Sequence, residues 1–543
     1  MMLPLLQAVA ATPSPSASAA PSSFGNINIT FSFLLSFLTW APLLVAVAVS
    51  VIPEAPRRRA TRRLWLIVFW TNLLLLAVTL VIYSSQFNIY GSGLQFEELL
   101  PWIPTLGVSY HMGLTGIGMS MLVLSGLIGL AATLAAFDLQ DRSRSFYVLL
   151  LLAQGFINGV IGAQDLVLLV CFWTASMVPI ALLVGGWSGP RRWQAAGRLV
   201  GYWMLGSAAL LVASLLLWVS TGERSFELSA LGNAAPNWRV QLVVALLIIV
   251  AAGSRLALVP LHGWAREVLA EAHPAVAVLV IGSGARLGGD LLLEMYTGLN
   301  VGGAHLAAKV LMVVAVLTVV YAAVAAFRTR EIRRLAAYLT LIPSGVMALG
   351  VAALSPMAIA GAAFSLFAGG LAAAILVGAA ATLAERAQSR SLLVVMGVAT
   401  RGPRVVWFVL AGTLAAIGLP FFATFPGLLM VLFGSLQNEP VGTLVMAGGL
   451  VLAAAAIAWL LRRALFGRPN ADAPTPSDAT MPQAWYLGIL IAVLLWVGLV
   501  PSGPKLAGNV IFDPGMINVI TQETTTISAP FVPPASTSSS STP

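Results

Sequence analysis

The sequence predicts an all-α polytopic membrane protein with about fourteen spanning helices. Three observations point there. Of 543 residues, 59% are hydrophobic and only 9% charged, whereas soluble domains carry about a quarter charged residues. Apolar runs of about 20 residues, the length that crosses a bilayer as a helix, recur along the chain. Arginines cluster after every second run. A soluble enzyme, a disordered chain and a coiled coil are excluded on composition. The runs are too long for barrel strands, and backbone groups inside lipid must bond within their own segment, so the spans are helices.

Residues 1–25 are rich in Ala, Pro and Ser and lack the Lys/Arg start of a secretory signal, so they read as a mobile tail. Segment 26–138 holds runs at 30–52, 64–86 and 113–137. Segment 139–300 holds runs at 145–162, 165–187, 197–219, 240–262 and 275–297. Segment 301–465 holds runs at 305–327, 334–353, 356–383, 404–434 and 442–463. A linker and the last run, 483–501, fill 466–510, and the Thr/Ser/Pro-rich stretch 511–543 reads as a disordered tail. The seventh run meets Pro260, and the twelfth meets Pro420 and Pro426, so both are expected to break. Paired interruptions in two halves point to an ion or substrate path built on repeats; a packing kink is the plainer alternative.

The net charge of +9 is distributed by topology. Arg57, Arg58, Arg59, Arg62 and Arg63 follow run 1; Arg142 and Arg144 follow run 3; Arg191, Arg192 and Arg198 follow run 5. Arg328, Arg330, Arg333 and Arg334 follow run 9; Arg386, Arg390, Arg401 and Arg404 follow run 11; Arg462, Arg463 and Arg468 follow run 13. Basic loops face the cytoplasm, which places both termini outside. The charge is therefore orientation, with no nucleic-acid role. The only cysteine is Cys171, so a disulfide or cysteine-held metal within the chain is excluded. No phosphate-binding loop and no dinucleotide fingerprint occurs.

Several stretches carry a resemblance. They are Gln164-Asp165-Leu166 through Cys171-Phe172-Trp173-Thr174 to Met177-Val178-Pro179, then Gly189-Pro190-Arg191-Arg192 with Ala195-Ala196-Gly197-Arg198 and Tyr202. Val259-Pro260-Leu261-His262-Gly263-Trp264, Glu331-Ile332-Arg333-Arg334-Leu335-Ala336-Ala337-Tyr338, Glu385-Arg386, and Trp102-Ile103-Pro104 with Gly107 and His111 complete the set. Together, over roughly 30–505, they resemble the antiporter-like membrane subunits of respiratory complex I, most of all the M type, with Mrp-type antiporter and membrane-bound hydrogenase subunits as relatives. The resemblance implies two inverted repeats, helices 4–8 and 9–13. It implies a membrane-arm subunit of a proton-translocating NADH–quinone oxidoreductase, in a bacterial cytoplasmic membrane and beside other membrane-arm subunits. NADH, FMN, iron–sulfur clusters and quinone would belong to other subunits, leaving this chain without a redox centre, cofactor or metal. A Mrp-like cation/proton antiporter or ion-uptake subunit, and a non-pumping structural paralogue in a similar membrane arm, remain as alternatives.

The chain departs from the family at the ionisable positions. The helix 5 Glu falls on Thr174, the helix 7 and helix 8 Lys on Arg255 and Arg286, the helix 10 and 11 His on Pro343 and Gly369, and the helix 12 carboxylate on Leu428. Buried Lys can give up its proton, whereas Arg keeps it. The remaining proton-path candidates are Arg255, Arg286, Asp290, Arg198, His262 and Thr174. Arg286, Asp290 and Glu294 are spaced i, i+4 and i+8, which predicts one helical face and a salt bridge. Asp290 either neutralises Arg286 or carries a proton itself. Arg255 is expected to pair with Asp290, or with lipid, water or a neighbouring subunit. His262 is either a hydrated relay or a partner for carbonyls freed at Pro260. Glu294 is expected to be solvated, His111 and His305 interfacial, and Lys309 snorkelling.

Overall fold

The computed structural model describes residues 33–52, 58–88, 93–139, 141–221, 225–228, 237–296, 302–392, 403–460, 462, 467, 477–500, 505–506 and 509–510. The tails expected at 1–25 and 511–543, and most of the linker before the last span, lie outside the described residues, as do Arg57, Arg401, Arg463 and Arg468.

The fold is a helical membrane bundle, and each predicted run falls on a helix. In chain order these are α1 (Leu34–Val51), α2 (Arg58–Ser85), α3 (Gly116–Ala135), α4 (Ser143–Gly162), α5 (Leu166–Trp187), α6 (Arg192–Thr221), α7 (Trp238–Leu256) and the short α8 (Gly263–Glu271). Then come α9 (Pro274–Tyr296), α10 (Gly302–Arg328), α11 (Ile332–Ala352), α12 (Pro356–Arg386), α13 (Pro403–Ala416), α14 (Thr424–Asn438), α15 (Pro440–Leu460) and α16 (Met481–Leu499). Thirteen are long and apolar enough to span a bilayer. The twelfth predicted run, 404–434, is divided into α13 and α14. The spanning windows of α9, α11 and α12 are wholly buried. These three form the centre, and the other helices shield them from lipid.

Both expected breaks occur, and each has its freed backbone groups re-bonded, as lipid demands. Helix α7 ends at Leu256, where Ala257 turns to φ +60°, and Val259–Pro260 is cis. The Ser254 carbonyl accepts from Trp264 Nε1 at 2.7 Å, and Val259 N–H donates to Thr318 Oγ1 at 3.0 Å. Between α13 and α14, Thr424 donates to the Ala415 carbonyl at 2.6 Å and Ala423 N–H to that of Leu494. The break centres on Pro420. Pro426 sits in the first turn of α14, where a missing N–H costs nothing.

The purely α expectation needs one addition. Strands β1 (Gln95–Ile103) and β2 (Val108–Leu114) form an antiparallel hairpin between α2 and α3, at the end opposite the Arg-rich loops. It caps α1, whose N-cap residue Phe33 supplies no side-chain bond, and braces the cap of α5. Glu98 accepts from Leu35 N–H at 2.6 Å and Ser36 N–H at 3.1 Å, in the first turn of α1. Asp165 caps α5 through Val167 and Leu168 N–H and takes Ser109 N–H from β2. A further two-residue strand pair joins Lys505–Leu506 to Asn509–Val510.

Candidate functional site

The site lies where α9 crosses the bundle. This helix is not regular: Val280–Gly284 and Leu292–Tyr296 are wound as π-helix, with a short α turn, Leu287–Leu291, between them. Such widening is frequent at functional positions. Arg286 immediately precedes the α turn and Asp290 lies within it, and α7 carries Arg255 alongside, with Gly288 lying against the Arg255 Cβ.

Both arginines are fully buried. Arg255 Nη2 donates to the Trp173 carbonyl at 2.5 Å and to Ser176 Oγ at 3.0 Å. Its guanidinium carbon lies 4.0 Å from the centre of the Trp203 ring and 4.5 Å from that of Trp173. Two indole faces and a carbonyl thus supply the negative potential that a carboxylate would otherwise give. Arg286 donates from Nε to the Ile281 carbonyl at 3.3 Å and from Nη1 to Ser344 Oγ at 3.2 Å.

Among the described residues, neither guanidinium has a carboxylate within salt-bridge distance. The predicted Arg286–Asp290 pair is therefore absent, as is an Arg255–Asp290 pair. Helical side chains lean toward the N-terminus, so Arg286 reaches back to Ile281 and away from Asp290. The i, i+4 order that closes well places the acid first; here the base comes first.

The positions where the resemblance expects histidines are beside Arg286. A Cβ on Gly369 would lie 3.7 Å from Arg286 Nη1 and 2.8 Å from Pro343 Cβ. One on Gly370 would meet Arg286 Cγ at 3.3 Å. A guanidinium thus fills space opened by a glycine and a proline. Leu428 packs toward Gly418 at the second break and brings no charge.

Asp290 occupies a different environment. It lines a cavity of about 20 Å³ together with Glu294, Gln164 and Trp173, walled by apolar residues of α4, α5 and α9. Asp290 Oδ1 and Trp173 Nε1, on two residues that line this cavity, are buried and have no hydrogen-bond partner among the described residues. That volume is enough for one water molecule. Glu294 is not simply solvated: it is partly buried, and the Thr115 hydroxyl, which caps α3, donates to it. Of the buried carboxylates among the described residues, Glu98 and Asp165 belong to the hairpin end and Glu271 to the basic end. Asp290 alone lies within a spanning helix.

The other candidates are elsewhere. Arg198 belongs to an ion-pair cluster at the basic end, 2.7 Å from Glu267, which also takes Arg266 at 2.7 Å. Nearby, Arg390 binds Glu271 through both nitrogens, at 2.7 and 3.2 Å. Gly189 leaves room for that pair, since a Cβ there would stand 2.2 Å from Glu271 Oε2. His262 packs its ring 4.4 Å from that of Tyr321, and its Nδ1 has no hydrogen-bond partner among the described residues. Of the carbonyls freed at the break, that of Ser254 is taken by Trp264, and the Pro260 backbone lies against His262. Thr174 is half-buried. His111 is buried on β2, 4.0 Å from Glu227. Sequence reading missed Trp203 and Trp173 as the partners of Arg255. The available signal was two tryptophans, on the fifth and sixth runs, preceding a buried cation that lacked an acid.

A bundle with two interrupted helices and charges buried at its centre defines a polytopic membrane protein of the antiporter-like class. Residues 163–454 match the family described as NADH:quinone oxidoreductase/Mrp antiporter, transmembrane region, and the chain belongs to that family. It is 30% identical over 424 residues to "NAD(P)H-quinone oxidoreductase chain 4 1" of Synechococcus sp. (strain JA-2-3B'a(2-13)), covering 78% of this chain and 79% of the relative. The corresponding protein of Synechococcus sp. (strain JA-3-3Ab) is 31% identical with the same coverage. In fold it is similar to a chain of respiratory complex I from Thermus thermophilus, with a TM-score of 0.80 and 22% identity, over 91% of this chain and 100% of that one. It is also similar to a chain of the Mrp complex from Dietzia sp. DQ12-45-1b, with a TM-score of 0.77 and 19% identity, over 92% and 98%.

Proposed function

We propose that this chain is a proton-translocating membrane-arm subunit of an NADH–quinone oxidoreductase assembly, and that Asp290 carries the proton. The reading rests on one observation. Asp290 is the sole buried carboxylate of a spanning helix among the described residues, and it faces a water-sized cavity shared with Glu294. A carboxylic acid and a carboxylate one turn apart can exchange a proton through one water, and intramembrane acids of this kind mark ion paths. Arg255 and Arg286 act as fixed charges that bias such a step without relaying it. Electron transfer, and with it NADH, flavin, iron–sulfur clusters and quinone, belongs to other subunits. The chain sits in a bacterial cytoplasmic membrane with both termini outside, its two repeats spanning helices 4–8 and 9–13.

The test is Asp290→Asn in the assembled complex, with proton uptake and quinone reduction measured in the same vesicles. Fewer protons per electron at a preserved quinone-reduction rate is expected. An unchanged ratio in a fully assembled complex would defeat the proposal. Loss of coupled sodium movement rather than proton movement would favour the cation-antiporter reading. A second reading, a non-pumping structural paralogue, is favoured by Pro343, Gly369 and Leu428, which leave no titratable side chain at those three positions in the second half of the bundle.

A further inference from the structure

We infer that the basic end of α10 and α11 is a binding site for an anionic phospholipid, with the phosphate in an arginine-lined cavity and an acyl chain along α10. Two independent features meet there. The first is a cavity of about 480 Å³ lined by Arg328, Arg330, Arg334, Thr329, Tyr321 and Tyr338, with Glu331 also at its wall. That volume lies within the usual range for small-ligand sites, roughly 300–1,000 Å³. Arg334 is neutralised by Glu331 at 3.2 Å. Arg328 and Arg330 make no ion pair among the described residues, so the cavity holds two uncompensated positive charges. Guanidinium groups bind phosphate oxygens in a two-pronged geometry.

The second feature is the outer face of α10. Leu306, Val310, Val313, Leu317 and Val324 are each at least 40% exposed. Their steps of three, four and seven residues place them on one line along the helix. Arg328 follows Val324 by four residues and so continues the same line into the cavity. An apolar track that ends in unpaired arginines matches one molecule carrying both an acyl chain and a phosphate. Basic pockets between membrane helices on the cytoplasmic side suit such headgroups. A free phosphate would use the arginines and leave the track unused.

The full chain, purified in detergent and stripped of lipid, is titrated with phosphatidylglycerol and with phosphatidylcholine of the same acyl chains, and bound lipid is counted by native mass spectrometry. At least a tenfold preference for phosphatidylglycerol is expected. The double substitution R328Q/R330Q is expected to abolish the preference, and R328K/R330K to retain most of it. R62Q/R63Q removes the same charge from exposed positions on α2 and is expected to leave it intact. Equal binding of the two lipids by the wild-type chain overturns the inference, whether or not the variants fold. So does an equal loss in R62Q/R63Q, which would mean diffuse charge. Displacement of the lipid by inorganic phosphate at matched concentration would overturn it in favour of a free-anion site.

Discussion

The two tryptophans around Arg255 lead to a quantitative expectation. The guanidinium stands 4.0 Å from the Trp203 ring in a fully buried setting, where a cation–π contact is worth about 2 kcal/mol. Truncating Trp203 to Leu removes that contact and also the edge-on packing against Trp264 at 5.2 Å, the latter costing about 3 kcal/mol. In the wild-type background the loss should therefore be about 5 kcal/mol. Arg255→Met by itself should be nearly neutral, because a buried charge is exchanged for a well-packing chain. The Trp173 carbonyl is not orphaned by that change, since the Ser176 hydroxyl already donates to it at 2.8 Å. With Met at 255, Trp203→Leu loses only its packing share. A double-mutant cycle should return a coupling of about 2 kcal/mol, measured by detergent-titrated unfolding of the purified chain. Coupling within about 0.5 kcal/mol of zero, the usual additivity error, would show that Arg255 draws its compensation from elsewhere. A strongly destabilised Arg255→Met would point to a carboxylate partner left unpaired.

Two further outcomes follow from the geometry. Gly369→Ala should cost about 1–3 kcal/mol by overpacking, because its Cβ would stand 2.8 Å from Pro343 Cβ; Pro343→Gly in the same chain, which removes that Cβ, should restore most of the loss in an unfolding titration. At the basic end, outside the spanning windows, burial pushes the Glu267 carboxyl up. The Arg266 hydrogen bond and the charges of Arg266, Arg198 and Arg334 outweigh it and hold the carboxyl below its usual range. A depressed folded-state value means the stabilisation is complete above the ordinary carboxylate range and is lost as pH falls through it. Arg198→Gln should lower stability at neutral pH, where that contribution is complete, and flatten the fall of the stability–pH curve below about pH 4.5, read from unfolding titrations at several pH values.

The spans were legible because lipid imposes one rule on every residue of a run, and composition over about 20 residues records it. The breaks were legible because Pro260 and Pro420 carry their consequence locally. The hairpin at 95–114 was not, since its reason for forming is remote: Glu98 caps a helix 63 residues earlier in the chain. The spacing singled out Asp290, but the ion pair it predicted with Arg286 is absent among the described residues. The spacing of Arg286 and Asp290 places two Cα atoms on one face and says nothing of which way a long side chain runs along it. The indole pair around Arg255 comes from two helices that the sequence lists separately, and only packing brings them to one cation.

The substitutions at 286, 343 and 369 make sense as one exchange of volume and charge. Where the family resemblance expects Lys and two His, this chain has Arg, Pro and Gly, and the three are in mutual reach. The larger cation occupies what the smaller neighbours vacate, and its hydrogen bonds go to a carbonyl and a serine rather than to a titratable group. The exchange keeps a positive charge at the centre in a side chain that holds its proton. Asp290 lies one turn from Arg286 toward the hairpin end, with Glu294 a further turn along and bonded to the cap of α3. Proton traffic through these two carboxylates would therefore be confined to the hairpin side of Arg286. A chain built this way would load and unload from one face in response to its fixed charges. Complete transfer would then depend on a group supplied by a neighbouring subunit.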